Sequence, residues 1–452
     1  MSRLGCLIVW AGAVGTSFWT TSARAQLQPA DGREAVGTAR QLFDLFGIDE
    51  ASFQQFTHGE SLKQAEHEQV ARLLMRLPQV KLVDVKRWTK RGVAWDDVAW
   101  RPGNYQREFV RVEGRARKVT RIVPAAEMQD RYALESYYRC EMSLGDDQQP
   151  AVVFARAVPQ KWPIDQPLNE RASASAMFLK TGADSAAGKS ELYFAADRIA
   201  WNPDTPLGTL GMDYGLFDTV EQQRPITNQD RECFYQMLAA AGRAPAAATV
   251  AVAADPTSQL GPLMRKPQDH VGEPYSFRGV ARRAVKIHIS DPDTVARLGF
   301  DHYFELVVFL DLDGVLEVAG QKVGSYPVIY CVRELPPGMP TGDEIGESVR
   351  ASGFMFKKWP YTTEMTEEQN PGLRMTSPLL IGRTVIWERR DTAQSLVGPV
   401  TGGILAAMII ALVVFGWWFG RRERRTHEAL VAKRHAAQAD QSLNDLKLDV
   451  PE

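Results

Sequence analysis

Apolar and polar residues alternate along several stretches of the chain, and two of these define the expected architecture. In "SFRGVARRAVKIHI" (Ser276 to Ile289), Val285, Ile287 and Ile289 fall on one side and Arg282, Lys286 and His288 on the other. A period of two predicts a half-buried strand. "FELVVFLDLDGVLEV" (Phe304 to Val318) sets Leu-Asp-Gly between two apolar runs, which predicts a hairpin turning at Asp311 to Gly314. Elsewhere the period changes. Val70, Leu73, Leu74 and Leu77, and again Phe234, Met237 and Leu238, are spaced three and four apart, as on one face of a helix.

These elements recur in order. "PAVVFARAVP" (Pro150 to Pro159) matches "PVIYCVRELP" (Pro327 to Pro336), aligning Pro150, Arg156 and Pro159 with Pro327, Arg333 and Pro336. The same offset aligns "ERASASAMFLK", ending at Lys180, with "ESVRASGFMFK", ending at Lys357. "EGRARK" faces "RGVARR", "YYRCEMSL" faces "YFELVVFL", and segments ending at Trp201 and Trp387 correspond. A helix-like piece precedes each copy, "EHEQVARLL" from Glu66 and "DRECFYQML" from Asp230. The unit is a helix followed by five β segments, and it occurs twice.

Five strands with a longer connection between the third and fourth resemble the OB-fold, a small Greek-key barrel. "GDEIGESVRASGFMFK" is similar to an OB phrase in which a glycine- and acid-containing turn introduces the fourth strand. The resemblance covers roughly residues 105 to 201 and 270 to 388 and is one of fold alone. It implies a mainly β protein with helices, built as two tandem helix-plus-five-stranded barrels.

Two apolar runs extend this picture. Residues 1 to 25 read as a secretory signal, with Arg3 at the start, a short apolar core and Ala23 to Ala25 as a small-x-small cleavage site. Val397 to Phe419 is 23 residues without a charge, enough to cross a bilayer as a helix, and "RRERR" (Arg421 to Arg425) follows on what the positive-inside rule makes the cytoplasmic side. The expected organisation is signal 1–25, N-terminal helical region 26–95, first barrel 96–201, helix and Ala/Pro-rich linker 202–262, second barrel 263–390, transmembrane helix 397–419 and cytoplasmic tail 420–452. This places a single-pass protein in a bacterial inner membrane, with its barrels extracytoplasmic. "GPVTG" (Gly398 to Gly402) supplies a small-residue pattern through which the helix could pair with a second copy.

Composition adds exclusions. The chain is 44% hydrophobic and 24% charged with a formal net charge of -2, which gives no footing to a nucleic-acid partner. Cys140, Cys233 and Cys331, the cysteines beyond the leader, are too few and too scattered for a disulfide framework, and they read as buried thiols or one bridge plus a thiol.

Motifs for chemistry are weak. Ala183 to Ser190 approximates a phosphate-cradling P-loop through Gly188, Lys189 and Ser190, but the repeat places a strand after it where a P-loop needs a helix. In the His-Glu pair of "EHEQVARLL", Ala71 stands where a zinc-protease motif needs its second histidine. "DLDG" lacks the later ligands of a calcium loop. No catalytic residue, metal or cofactor is expected. Basic and aromatic positions that correspond between the copies are the candidates for a ligand-binding face: Arg117, Arg121, Tyr137, Arg282, Lys286, Tyr303, Lys357 and Trp359. The expectation is a non-enzymatic envelope protein whose duplicated barrels bind a protein, glycan or lipid headgroup. The alternatives are an extracytoplasmic hydrolase acting on polymers and a receptor signalling through its tail.

Overall fold

The structure, a computed structural model, describes residues 37–185, 188–254, 260–318, 321–361, 374–389 and 403–418. The proposed leader and tail lie outside the described residues. Contacts divide the chain into a unit ending at Glu388 and a second from Arg389 onward.

The first unit is mainly β with helices and contains two six-stranded sheets in tandem. Helices α1 (Ala39–Leu45), α2 (Glu50–Phe53), α3 (Glu66–Arg76), α4 (Leu82–Trp88) and α5 (Trp95–Trp100) lead into the first sheet. That sheet holds β1 (Phe109–Ile122), β2 (Tyr137–Leu144), β3 (Gln149–Ala157), β4 (Pro167–Asp184), β5 (Ser190–Arg198) and β6 (Ala200–Trp201), with α6 (Ala126–Tyr132) between β1 and β2. Then come α7 (Pro206–Thr209), α8 (Asn228–Gly242), α9 (Ala246–Ala254) and α10 (Leu260–Arg265). The second sheet comprises β7 (Pro274–His288), β8 (His302–Val318), β9 (Gln321–Val332), β10 (Glu347–Tyr361), β11 (Met375–Gly382) and β12 (Val385–Glu388), with α11 (Pro292–Leu298) between β7 and β8.

Each sheet closes on itself. The first runs β1-β2-β3-β5-β4, and β4 returns to β1; the second runs β7-β8-β9-β11-β10, and β10 returns to β7. The β3–β5 and β9–β11 pairs are parallel and the others antiparallel. Inside the first barrel lie Val112, Val119, Cys140, Met142, Val153, Phe178 and Phe194. A second apolar layer, including Val70, Leu73, Leu74, Phe154, Leu179 and Tyr193, packs α3 against the outside of the wall. In the second copy α8 does the same through Cys233, Phe234, Met237 and Leu238, against Ile329, Phe356 and Leu379. The two copies meet where α4 lies against α11, with Lys81 Nζ 3.5 Å from Asp293.

The copies agree in detail. β1 bulges between Ala116 and Lys118, and β7 between Ala281 and Arg283, so Arg117 and Arg282 occupy the same irregularity. β4 and β10 bulge between Phe178 and Lys180 and between Met355 and Lys357. Gly114 and Gly279 stand at one position, where a Cβ would come within 2.0 Å of Ser143 O and 2.3 Å of Phe309 O. Trp201 donates its indole N–H to Glu170 at 2.8 Å, and Trp387 to Glu347 at 2.6 Å. Glu68 pairs with Arg131 between α3 and α6, and Glu232 with Arg297 between α8 and α11.

Several expectations need correction. On β7 Arg282, Lys286 and His288 are exposed, Val285 and Ile287 half-buried and Ile289 buried, as the alternation predicts, but the bulge at Arg282 shifts the phase so that the barrel core is filled by Phe277, Ala281 and Ala284. β8 runs through Asp311 to Gly314 and pairs with β9 as far as Val318 opposite Gln321, so the hairpin turns later than the Leu-Asp-Gly signal suggested. The fifth β segment of each copy breaks into two strands, at Ile199 and at Arg383 to Thr384. The Ala/Pro-rich linker is largely helical, as α9 and α10, in keeping with alanine's helix propensity.

In the second unit residues 403–418 form a helix whose apolar side chains, among them Ile404, Leu412 and Trp417, are exposed. Among the described residues no helix is long and apolar enough to cross a membrane. The rest of the expected span, 397–402 and 419, lies outside them.

Candidate functional site

The long strand β1 presents Arg111, Glu113 and Arg115 outward in alternation, and its bulge adds Arg117 to the same region. Gly114, without a side chain, lets β1 approach the β2 carbonyls closely enough to close the wall here. On β4, Arg171 sits directly opposite Arg115 and Ser173 opposite Glu113. The result is an open groove of about 770 Å³ lined by Arg111, Arg115, Arg117 and Arg171, with Ser143, Asn169, Ser173 and Asn202 between them.

The hydrogen bonds hold the guanidinium groups in place. Arg117 donates to Asn169 Oδ1 at 2.7 Å and to Ser143 Oγ at 3.2 Å. Arg111 pairs with Glu113 at 2.7 Å and donates to Ser173 Oγ at 2.8 Å, which in turn donates to Asn202 Oδ1 at 2.8 Å. Arg115 donates to the Asn169 carbonyl at 3.2 Å. Like charges directly across an antiparallel pair are unfavourable. Asp204 offsets that repulsion, 3.4 Å from Arg115 and 3.5 Å from Arg171. Arg117 has no carboxylate partner among the described residues. Four arginines face Glu113 and Asp146 in the lining, and Asp204 at the rim, leaving an excess of positive charge.

Of the residues singled out from sequence, only Arg117 lies in this groove. Arg121 is exposed farther along β1, opposite Tyr138. Arg282, at the position of Arg117 in the second barrel, lies 4.7 Å over the ring of Phe309, where the first barrel has Ser143. Lys286 is exposed beyond it, and Trp359 packs half-buried against the layer under α8.

Tyr137, Tyr303 and Lys357 are corrections, since they do not form a ligand face. Tyr137 is buried under α3 with its hydroxyl 2.7 Å from His67 Nδ1, and burial pushes its phenol well up. Tyr303 packs against Phe234 and Tyr235 of α8, and burial likewise raises it. Lys357 is 0% exposed and bonded to Asp230 at 2.9 Å. The outer walls that carry these residues are covered by helices, so a strand face that reads as solvated is interior.

Lys357 belongs to a constellation that both copies share. Lys180, also 0% exposed, reaches Glu66 at the start of α3. Glu66 accepts the backbone N–H of Thr57 and of Lys63, each at 2.7 Å. Asp230 accepts that of Glu221 at 3.4 Å and of Thr227 at 2.9 Å. Burial alone would raise Glu66, but the bonds from Lys63, Lys180 and Thr57 outweigh it and hold the carboxyl below its usual range. The loop before each helix is pinned to the strand as well: Thr181 N–H donates to His58 Nδ1 at 3.2 Å, and Lys358 N–H to Gln222 Oε1 at 2.8 Å.

No other convergent chemistry stands out. Among the described residues the three cysteines, Cys140, Cys233 and Cys331, are free and buried, and burial pushes the Cys140 thiol up to about 12, far from a reactive thiolate. Among the described residues no group of His, Cys, Asp and Glu could hold a metal ion. The P-loop-like stretch is the hairpin between β4 and β5: Ser190 opens a strand, and Lys189 Nζ donates to the Asp147 carbonyl at 2.7 Å.

Arg111, Arg115 and Arg171 went unnoticed in the sequence. The alternation in "RVEGRAR" was a usable signal for the first two; the third needed the β1–β4 register.

No family model matches the chain, and no curated protein matches it. Among solved structures, two forms of the enzymatic component C2-I of the C2-toxin from Clostridium botulinum align over most of both chains. A mutant form is 8% identical and covers 79% of this chain and 99% of its own, with a TM-score of 0.12. The other is 9% identical and covers 78% and 96%, with a TM-score of 0.09. At these scores the likeness carries no argument about fold or activity.

Proposed function

We propose that the chain is a non-enzymatic, single-pass envelope protein that binds an anionic extracytoplasmic partner through its first barrel. The observation that carries this reading is the arginine groove. Arg115 and Arg171 are direct cross-strand neighbours, and Arg117 beside them lacks a carboxylate partner among the described residues. Clustering cations in this way costs stability unless an anion is bound. The strand order, closed through β1–β4 with a parallel β3–β5 pair, supports an OB-type barrel, a scaffold that binds polymers on its outer face. The apolar exterior of helix 403–418 supports its place in a longer membrane anchor over 397–419.

The test is retention of the full chain, purified in a neutral detergent, on immobilised anionic and neutral envelope polymers across a salt series. Retention on the anionic polymer that falls steeply with salt, and is lost on Arg115→Ala/Arg171→Ala, is the expected result. Salt-independent retention, or turnover of the polymer, would overturn the reading.

A further inference from the structure

We infer that the groove of the first barrel is a single phosphate-ester site, absent from the second barrel, for which Asp204 is the competing carboxylate. The inference rests on the anion-binding reading above and narrows it to one ligand chemistry and one site per chain.

Asymmetry between the copies is the first argument. Matching registers place Val280 opposite Ser348 in the second barrel where Arg115 stands opposite Arg171 in the first. Ser276 replaces Arg111, and Arg282 is turned over Phe309; the second barrel's own cross-strand pair, Arg278 opposite Arg350, is held more tightly by Glu388, at 2.9 and 2.7 Å, than Asp204 holds Arg115 and Arg171. The bulge and the glycine are shared, so the barrels differ here in the groups an anion would use and not in the backbone that presents them.

The lining gives the second argument. Ala172 is its only apolar side chain, and it has no aromatic ring. With no aromatic ring a sugar face has nothing to stack on, and an acyl chain would find little apolar surface. What the groove offers is guanidinium forks from two adjacent strands, interleaved with the Ser143 and Ser173 hydroxyls and the Asn169 and Asn202 amides. A tetrahedral phosphate, with oxygens out of one plane, can engage Arg115, Arg171 and Arg117 together, whereas a planar carboxylate has two oxygens and, as Asp204 does, reaches two of them.

Asp204 gives the third. Its carboxylate is 62% exposed and within salt-bridge distance of both Arg115 and Arg171. It takes the position that a ligand oxyanion would take between them, and its exposure allows it to yield. A phosphate ester therefore competes with Asp204 for this pair while it gains Arg117 outright.

The experiment is calorimetric titration of the full chain in neutral detergent with inorganic phosphate, glycerol 3-phosphate, monomeric dihexanoyl phosphatidylglycerol and oligogalacturonate. One phosphate-bearing probe bound per chain is expected, with Arg117→Ala weakening it about tenfold and Asp204→Asn strengthening it several-fold. Arg282→Ala should leave binding unchanged. Binding of the glycerophospholipid but not of free phosphate would assign a headgroup; the reverse would assign a soluble phosphate. Binding of oligogalacturonate alone would overturn the phosphate assignment and leave the anion-binding reading standing. Binding of none of the four would overturn both. Two sites per chain, or an equal loss in Arg282→Ala, would overturn the restriction to the first barrel, and weaker binding by Asp204→Asn would overturn its role as a competing carboxylate.

Discussion

Lys180 donates to both carboxylate oxygens of Glu66, at 3.1 and 2.9 Å, and neither side chain is more than 3% exposed. The bond ties the fourth strand of the first barrel to the first turn of α3. Lys357 and Asp230 repeat it in the second copy, both at 0% exposure.

Removing one partner of a buried ion pair leaves a charge without its counterion, which costs about 3–5 kcal/mol. Lys180→Met should therefore lower the free energy of unfolding by that order, and Lys357→Met likewise. Combining Lys180→Met with Glu66→Gln should recover part of the loss, since the uncaged carboxylate is removed too. Equilibrium urea unfolding followed by circular dichroism measures each. A loss below about 1 kcal/mol in both single variants would show that the pair does not hold the helix to the barrel.

His58 places a titratable acceptor at the loop of the first copy where the second has the amide of Gln222. Its Nδ1 must be unprotonated to accept from Thr181 N–H, whereas Gln222 accepts from Lys358 N–H at any pH. Burial, then the charge of Lys180, lowers His58 below 6.5, with Glu66 pulling the other way. Below pH 6.5 the unfolded chain therefore binds more protons than the folded one. Stability should fall as the pH drops through that value and level off beneath the folded pKa. His58→Gln should flatten part of this slope, and His67, lowered chiefly by burial, should account for a remainder. Melting temperatures from pH 8 to pH 5, read for wild type and His58→Gln, measure the difference; identical slopes would refute the assignment.

Gly114→Ala tests the close approach of β1 to β2. The added methyl would lie 2.0 Å from Ser143 O and 2.8 Å from Leu144 Cα, both backbone atoms that cannot move without opening the sheet. A loss of about 2–4 kcal/mol is expected, as for severe overpacking. Gly279→Ala should cost a similar amount. Thermal unfolding of the two variants is the measurement.

Ala133 ends α6 with φ of 47°, in the left-handed region, at the position where α11 ends on Gly299 with φ of 79°. A non-glycine residue there is strained by about 1 kcal/mol. Ala133→Gly should raise the unfolding midpoint, and Gly299→Ala should lower it. If Ala133→Gly is destabilising, the strain is smaller than the entropy that glycine adds to the unfolded chain.

The duplication was legible because proline, arginine and lysine recur at one spacing in both copies, and the closed sheets respect that alignment down to the bulges. What the alternation misjudged has a physical origin. Val152 and Phe154 of β3 face α3 while Val153 and Ala155 face the barrel interior, so a strand covered on both sides has no wet face to read. Lys180 and Lys357 look like solvent residues in any one-dimensional pattern. Only their joint alignment with Glu66 and Asp230 hinted at partners, and only the fold brought those partners within 3 Å. The groove depended on cross-strand register, which sets Arg171 beside Arg115 although they are far apart along the chain.

The Lys–carboxylate bond also has a consequence for the order in which the molecule assembles. Glu66 precedes its lysine by 114 residues and Asp230 by 127, so each helix is synthesised long before the strand that completes its seat. During vectorial synthesis α3 waits with a buried-to-be carboxylate in water until β4 emerges, and the first barrel can close before β10 exists. The nascent chain therefore passes through a stage in which one copy is sealed and the other is an open helix. Contacts this distant in sequence slow the search for the native fold, and the α4–α11 contact between the copies can form once Leu298 has emerged, before β8 to β12 exist.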